Sequence, residues 1–339
     1  MGGFAKFGND LYTGERSINF VGLRKIWYAI AGVLLLASII IPIARGGFVL
    51  GIEFRGGSQF QIESVDTVAE DPIAAQDQAT EAVNDTVDDA SPRVSIVGDD
   101  GIRVQTAQLS TTESNEVRDA LADTFGVAPD AVNTSFIGPS WGADITGSAL
   151  RALIVFLVLS AIVMALYFRT WKMSVAAMIS LLHDLVITAG IYGIFGLEVT
   201  PSAVIGLLTI LGYSLYDTVV VFDKIRENTD ELGPDSTRTF AGAVNLAVNQ
   251  TLVRSINTSV ISILPVAAIL FIGGSALGAG TLVDIALSLF IGILVATYST
   301  IFIAAPVYSQ MRENEKITAT PKKKPSSASS SSVTTGAVR

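Results

Sequence analysis

Six stretches of roughly 20 mostly apolar residues dominate the chain, each long enough to cross the hydrocarbon core of a bilayer as a helix. They run over Ile26–Ala44, Ala149–Phe168, Ser174–Phe195, Pro201–Phe222, Leu252–Ile272 and Gly280–Ala304. The reading is a polytopic α-helical membrane protein with six transmembrane helices. The first stretch does not read as a cleavable signal peptide. A 25-residue polar segment (residues 1–25) precedes it, its apolar run is long, and no clean small-x-small site follows. Only 16% of the 339 residues are charged, well below the roughly 25% of soluble domains.

Orientation follows from lysine and arginine. Lys6, Arg16, Arg24 and Lys25 precede the first span, and Arg169 and Lys172 link the second to the third. Lys224, Arg226, Arg238 and Arg254 lie between the fourth and fifth spans or just inside the fifth. Arg312, Lys316, Lys322–Lys324 and Arg339 follow the sixth, whereas the links after spans three and five carry no basic residue. This pattern predicts that both termini and the 223–251 loop lie on the cytoplasmic side. Residues 45–143 then lie outside.

That segment holds 17 acidic and 5 basic side chains, net −12, against −9 for the whole chain. Such acidity excludes nucleic-acid binding through phosphates. Strands are expected over Val49–Phe54 and Gln59–Ser64, flanking Arg55-Gly56-Gly57. A helix is expected over Pro72–Val87 with Asp71 as its cap, and its apolar positions are Ile73, Ala79, Val83 and Val87. Arg93–Val97 and Ile102–Thr106 read as a hairpin across Gly98-Asp99-Asp100-Gly101. Thr112–Phe125 reads as a helix stopped by Gly126, and Val132–Ile137 as a last strand. The order β-α-β-β-α-β predicts an α+β, ferredoxin-like extracytoplasmic domain between helices 1 and 2. Its scattered acids read as a solvated surface, or as one that guides a basic chain.

Two cytoplasmic pieces remain. Residues 236–251 carry Phe240, Val244, Ala247 and Val248 at helical spacing, which predicts a short amphipathic helix along the inner interface. Residues 316–339 are basic, then Ser- and Thr-rich, and cannot build a core. Lys322–Lys324 reads as a contact for anionic lipids or as a plain topology signal.

No enzyme is expected. The chain has no cysteine and one histidine, and no nucleophile–base or metal constellation appears. No cofactor is expected. The candidates are ionisable residues inside the spans, which are expensive there. Asp184, beside His183, lies ten residues into span three, about 15 Å deep at 1.5 Å per residue. Asp217 lies in span four, Arg254 opens span five at a similar depth, and Asp284 lies near the outer end of span six. Polar stripes accompany them: Thr209, Tyr213 and Asp217 with Ser214; Gln250, Arg254, Thr258 and Ser262 with Asn257; Thr281, Asp284, Ser288 and Gly292. Three such stripes can line one hydrated path. Burial favours the neutral form of a carboxyl and a nearby guanidinium favours the charged form. Movement of Arg254 relative to Asp217 would therefore load and release a proton; a static buried ion pair is the alternative. For Asp184 and His183 a polar helix–helix contact is an equal reading. For Asp284 a cheap interfacial charge is the simpler one.

The run Gly212-Tyr213-Ser214-Leu215-Tyr216-Asp217-Thr218 through Asn228 closely resembles the fourth-span signature of the SecF family, the small subunits of SecD–SecF export complexes in the resistance-nodulation-division superfamily. Gly51-Ile52-Glu53-Phe54-Arg55-Gly56-Gly57 is similar to the motif after its first span. Leu182-His183-Asp184, Asn249 through Ser259, and Thr297 through Ala304 are similar to its third, fifth and sixth spans. The resemblance covers residues 18 to 310. Glu53 stands where many members have Asp, and the Ser-rich tail lies outside. The resemblance implies a subunit that couples proton flow to late steps of polypeptide export through a SecYEG-type channel. Asp217 and Arg254 would form the proton relay, with Asp184, His183, Tyr213, Thr218, Asn257, Thr258 and Asp284 in support. It also implies a SecD-like partner carrying another aspartate of the relay, an unfolded client polypeptide, surrounding lipids, and accessory proteins of the YajC and YidC type. A lipid or drug transporter of the same superfamily and a proton-inactive scaffold are the competing classes. One outer domain of about 100 residues with six spans favours the SecF reading over the transporter.

Overall fold

A computed structural model describes residues 3–63, 65–98, 100–168, 170–230, 232, 238–273 and 280–313. The 316–339 tail, with Lys316 and Lys322–Lys324, lies outside the described residues, as do Arg169, Gly274, the start of the 236–251 segment and Asp99 of the hairpin turn. Among the described residues, six helices are long and apolar enough to cross a membrane: Arg24–Ala44, Ser140–Phe168, Trp171–Phe195, Pro201–Asp230, Phe240–Gly273 and Thr281–Met311. They are called spans one to six here.

Spans two, four, five and six run well past the apolar stretches. The second begins at Pro139, ten residues before the expected Ala149, and the fourth continues past Phe222 to Asp230. Hydropathy marks where a helix meets hydrocarbon, whereas capping and breakers decide where it ends. The expected interfacial helix over 236–251 is not separate. Thr239 accepts from Gly242 N at 3.1 Å as a cap, and one helix runs from Phe240 to Ala268, because no breaker intervenes before Pro265. Its first turns bury Phe240, Ala243, Val244, Ala247 and Val248 against spans three, four and six, so their apolar face meets protein. An N-terminal helix, Gly3–Thr13, packs beside them. Asn245 and Asn249 then hold the irregular 17–21 segment: Asn249 Oδ1 accepts from Ile18 N at 2.8 Å, and Asn245 Oδ1 accepts from Phe20 N at 2.8 Å.

Between spans one and two lies an α+β domain. The first expected strand shrinks to β1, Val49–Leu50, followed by one helical turn over Ile52–Arg55. β1 does not join the domain's sheet. It pairs in parallel with β6, Glu198–Val199, in the link between spans three and four. The sheet comprises β2 (Gly57–Ile62), β3 (Arg93–Val97), β4 (Gly101–Thr106) and β5 (Asn133–Ile137), all antiparallel in the order β3-β4-β2-β5. Two helices, Pro72–Thr86 and Thr111–Phe125, cover it. The core is Phe60, Ile62, Ala79, Val83, Ile102, Val104, Val117 and Leu121. Asp71 caps the first helix through Ile73 N and Ala74 N, both at 3.1 Å. Ile73 itself is 72% exposed, and Ala75 takes its expected place in the core, since residues 75, 79 and 83 share a face at i, i+4, i+8.

The Gly56-Gly57 pair makes the entry to this domain. Both adopt positive φ, 74° and 137°, which β-carbons disfavour. A Cβ on Gly57 would also collide with Thr106 O of the neighbouring strand. In the membrane part, Gly206 lets spans four and six touch, because a Cβ there would collide with Ser288 Oγ.

The helix Thr111–Phe125 starts with a capping box. Ser110 N donates to Glu113 Oε2 at 2.7 Å, and Glu113 N donates to Ser110 Oγ at 3.3 Å. The backbone N–H of Ser110 holds the Glu113 carboxyl below its usual range. A carboxyl depressed in the folded state stabilises above its unfolded pKa and loses that contribution as pH falls through the folded one. Comparison of thermal unfolding for the native chain and Glu113→Gln is therefore expected to favour the native chain at neutral pH. The gap should close below the ordinary carboxylate range.

Candidate functional site

The spans meet in a lattice of hydroxyls and carboxyls. Span three contributes Ser180, His183 and Asp184; span four contributes Tyr213, Ser214, Asp217 and Thr218. Span five contributes Ser255 and Ser259, and span six contributes Thr297, Ser299 and Thr300. On spans three to five these polar groups fall three or four residues apart, so each set shares one helical face.

Asp217 is 4% exposed. Its Oδ1 accepts from Ser255 Oγ at 2.9 Å, and its Oδ2 is buried with no partner. Next to it, Thr218 Oγ1 lies 3.3 Å from Thr300 Oγ1. Asp184 is 3% exposed. Its Oδ2 accepts from Ser214 Oγ at 2.5 Å, and its Oδ1 lies 3.4 Å from His183 Nδ1. His183 Nε2 is buried without a partner, and the ring lies against Tyr298 with centroids 5.9 Å apart. Ser180 Oγ donates to Ser299 Oγ at 3.2 Å. Ser259 Oγ lies 3.3 Å from Tyr213 Oη and 2.5 Å from Thr297 Oγ1.

Helix six is irregular at this level. A π-turn occupies Thr300–Ala304, and Pro306 lies two residues beyond. A proline cannot donate to the carbonyl four residues back and crowds it, which loosens the helix beside Asp217.

Magnitudes separate structure from function here. Six interhelical hydrogen bonds link the groups named above. At about 0.6 kcal/mol each in a membrane they supply roughly 4 kcal/mol. Two aspartates near the middle of helices cost roughly 5–7 kcal/mol on the insertion scale. The hydroxyl bonds do not offset the carboxyls, so stability alone does not account for Asp184 and Asp217.

The structure brings together Asp217, Asp184, His183, Tyr213 and Thr218 from the expected set. It places the others elsewhere. Arg254 is exposed on this chain's surface, and among the described residues no ion pair joins it to Asp217, although its charge lies near enough to act on that carboxyl. Asn257 is exposed too, and Thr258 Oγ1 donates to its own helix at Arg254 O, 2.9 Å away. The inward stripe of span five is Thr251, Ser255 and Ser259, one position beyond the expected Gln250, Arg254, Thr258 and Ser262. Thr209 is exposed and donates to Ile205 O. Ser255, Ser259, Thr297, Ser299 and Thr300 are the residues that sequence reasoning missed. The spacing of Thr251, Ser255 and Ser259 was visible, but Arg254 marked the neighbouring stripe more strongly.

Asp284 belongs to a different place. Thr200 Oγ1 donates to its Oδ2 at 2.9 Å in the wall of a polar cavity of about 250 Å³, shared with Glu53, Gln59, Arg103 and Glu198. Thirteen residues of span six separate Asp284 from Thr297, about 20 Å of helix. Between the two levels lies an apolar cluster of Ile187, Tyr192, Ala203, Ile291 and Val295.

Two family descriptions match this chain. "Protein export membrane protein SecD/SecF, C-terminal" covers residues 116–314, and "SecD/SecF GG Motif" covers 43–68, the segment that holds Gly56-Gly57. The chain belongs to the SecD/SecF family. Among SecF relatives, the protein translocase subunit SecF of Streptomyces coelicolor is 42% identical over 315 residues, 93% of this chain and 82% of that one. The SecF of Mycobacterium tuberculosis H37Rv is 38% identical over 332 residues, 93% of this chain and 72% of that one. The crystal structure of SecDF from Thermus thermophilus, a translocon-associated membrane protein, is similar with a TM-score of 0.75 and 29% identity. The match covers 88% of this chain and 39% of that one. SecDF in its super-membrane-facing form matches the same shares with a TM-score of 0.61.

Ser255→Ala removes the 2.9 Å hydrogen bond that Asp217 Oδ1 accepts. It is expected to lower the stability of the purified chain by about 1–3 kcal/mol, since a buried acceptor is left unmade. Thr258→Ala removes only a bond to its own helix and is expected to stay within about 0.5 kcal/mol. Thermal unfolding of the two variants in the same detergent checks the contrast.

Proposed function

We propose that this chain is the SecF-type accessory subunit of a Sec translocase and couples proton passage at Asp217 to late steps of polypeptide export. The observation that carries the proton role is the Asp217 carboxyl: buried among four spans, bonded through one oxygen, and paired with no cation among the described residues. A carboxylate in that position is costly as an ion and cheap as an acid. It can exchange a proton wherever a rearrangement of spans four to six admits water or a basic partner. The π-turn at Thr300–Ala304 and the hydroxyls around it supply short steps for such a rearrangement.

In this reading the basic ends of the spans face the cytoplasm and the α+β domain lies outside, in the plasma membrane of a bacterium. The strand order β3-β4-β2-β5, with both helices on one face, supports the ferredoxin-like description. Residues 45–143 are taken as the outer domain, although the helix of span two already begins within them at Pro139. The partner is a SecD-like subunit, and the fused SecDF relative of Thermus thermophilus supports it. Arg254 and Asn257 are exposed and Thr258 is half-buried on this chain, and in this reading the partner covers that face. The Sec channel, an unfolded client, lipids and proteins of the YajC and YidC type complete the assembly. Protons are the coupling ion and no cofactor takes part. The acidic cavity around Asp284 and the lattice around Asp217 lie on opposite sides of the apolar cluster at Ile187 and Ile291, the separation that a gated path needs.

Asp217→Asn in the complete complex is expected to abolish the part of export that depends on the proton gradient, while co-purification with the SecD-like subunit persists. Pulse-chase secretion with and without an uncoupler reads the first, and affinity purification reads the second. Unchanged gradient-dependent export would leave the scaffold reading.

A further inference from the structure

One side chain of the link between spans three and four is held by the α+β sheet. Glu198 lies in β6, between spans three and four, yet its carboxylate is taken up by the α+β sheet. Arg103 Nη1 on β4 lies 3.1 Å from Glu198 Oε2, with the two side chains 16% and 18% exposed. Gln105 Nε2 of the same strand donates to Glu198 Oε1 at 2.5 Å and lies 3.2 Å from Gln59 Oε1 on β2. Both oxygens of one span-linker carboxylate are thus held by two alternate residues of one strand, which point to the same face of the sheet.

The other side of Glu198 leads into span four. β6 pairs with β1 in the register Val49↔Glu198 and Leu50↔Val199, and Gly51 N donates to Val199 O at 3.0 Å. Thr200 follows. Its Oγ1 accepts from Ala203 N at 3.1 Å, as the first span-four residues turn into helix, and donates to Asp284 Oδ2 of span six at 2.9 Å. The helix entered there is the one that carries Asp217, and Gly206 holds it tightly against span six. Hydrogen bonds at Glu198 and at Thr200, joined by the backbone through Val199, therefore connect β2 and β4 to the domain-side ends of spans four and six.

We propose that Glu198 is a positioning residue that fixes the α+β sheet to span four through Arg103 and Gln105, so that tilting or shifting of span four turns the domain. The inference rests on the proton-driven reading only for its consequence in export; the joint itself does not depend on it. Exposed rim ion pairs contribute little. This pair differs because it is largely covered and held at two oxygens with charge-assisted geometry. Loss of the Glu198 charge leaves Arg103 in a half-closed cavity without its partner.

The test uses the full chain in its complex with the SecD-like subunit. The chain has no cysteine, so spin labels can be attached at Phe136→Cys on β5 and Ile205→Cys on span four, both exposed positions. Pulsed electron paramagnetic resonance then gives the distance distribution between domain and span. Glu198→Gln is expected to broaden or shift that distribution and to lower gradient-dependent export by roughly tenfold, the order expected for one charge-assisted contact. The exchanged pair Arg103→Glu with Glu198→Arg is expected to restore both readouts. If Glu198→Gln fails to accumulate in the membrane, the exchanged pair alone decides: recovery of accumulation supports the joint, and failure to recover overturns it. An unchanged distance distribution in Glu198→Gln, or an exchanged pair that restores neither readout, also overturns it. A shifted distance with unchanged export keeps the joint and counts instead against the proton-driven reading.

Discussion

Hydrocarbon offers no hydrogen-bond partners, so every polar atom carried into it must find one inside the protein. In this chain that requirement organises the membrane part. Asp184 and Asp217 are bonded by Ser214 and Ser255 from neighbouring spans. The remaining hydroxyls bridge spans three to six. The six apolar helices give the bundle its length, and the lattice sets which faces meet. One oxygen of Asp217 and one nitrogen of His183 stay without a partner. An unmet buried group is a cost that folding alone gives no reason to carry, and in a membrane span it points to function.

The α+β domain follows different physics. Its core is apolar and its acids face outward, so it is held by ordinary burial and by two well-formed helix caps. Its attachment to the bundle is polar. The Gly56-Gly57 entry removes side chains where the backbone must approach Thr106, and Glu198 reaches across from the span linker to Arg103 and Gln105. A domain rigid within itself and fastened at few points can move as a body.

Much of this was legible in the sequence, for identifiable reasons. Long apolar runs marked the six spans, because hydrocarbon thickness imposes a length. Asp71 and Gly126 marked helix ends in the domain, because caps act locally. Asp184 and Asp217 stood out, because charges inside spans are rare. Helix rotation was harder to read. Span five carries two parallel polar stripes one residue apart, and the charge on Arg254 drew attention to the outward one, whereas Ser255 and Ser259 face the lattice. Ile73 looked like core and is exposed, for the same reason: a short periodic pattern leaves one residue of freedom in the face it buries. The pairing of β1 with β6 joins segments about 150 residues apart, and nothing local announces it. The hydroxyl cluster Thr297–Thr300 was visible in composition, but only the packing shows it beside Asp217.

The central claim is that Asp217 takes up and releases a proton while buried in this lattice. Infrared difference spectroscopy on the complete complex in sealed vesicles, recorded with and without an imposed proton gradient, tests it most directly. The account predicts a carboxyl band that changes with the gradient and disappears in Asp217→Asn. A gradient-dependent carboxyl band that persists unchanged in Asp217→Asn, or no such band in the native complex, would contradict it.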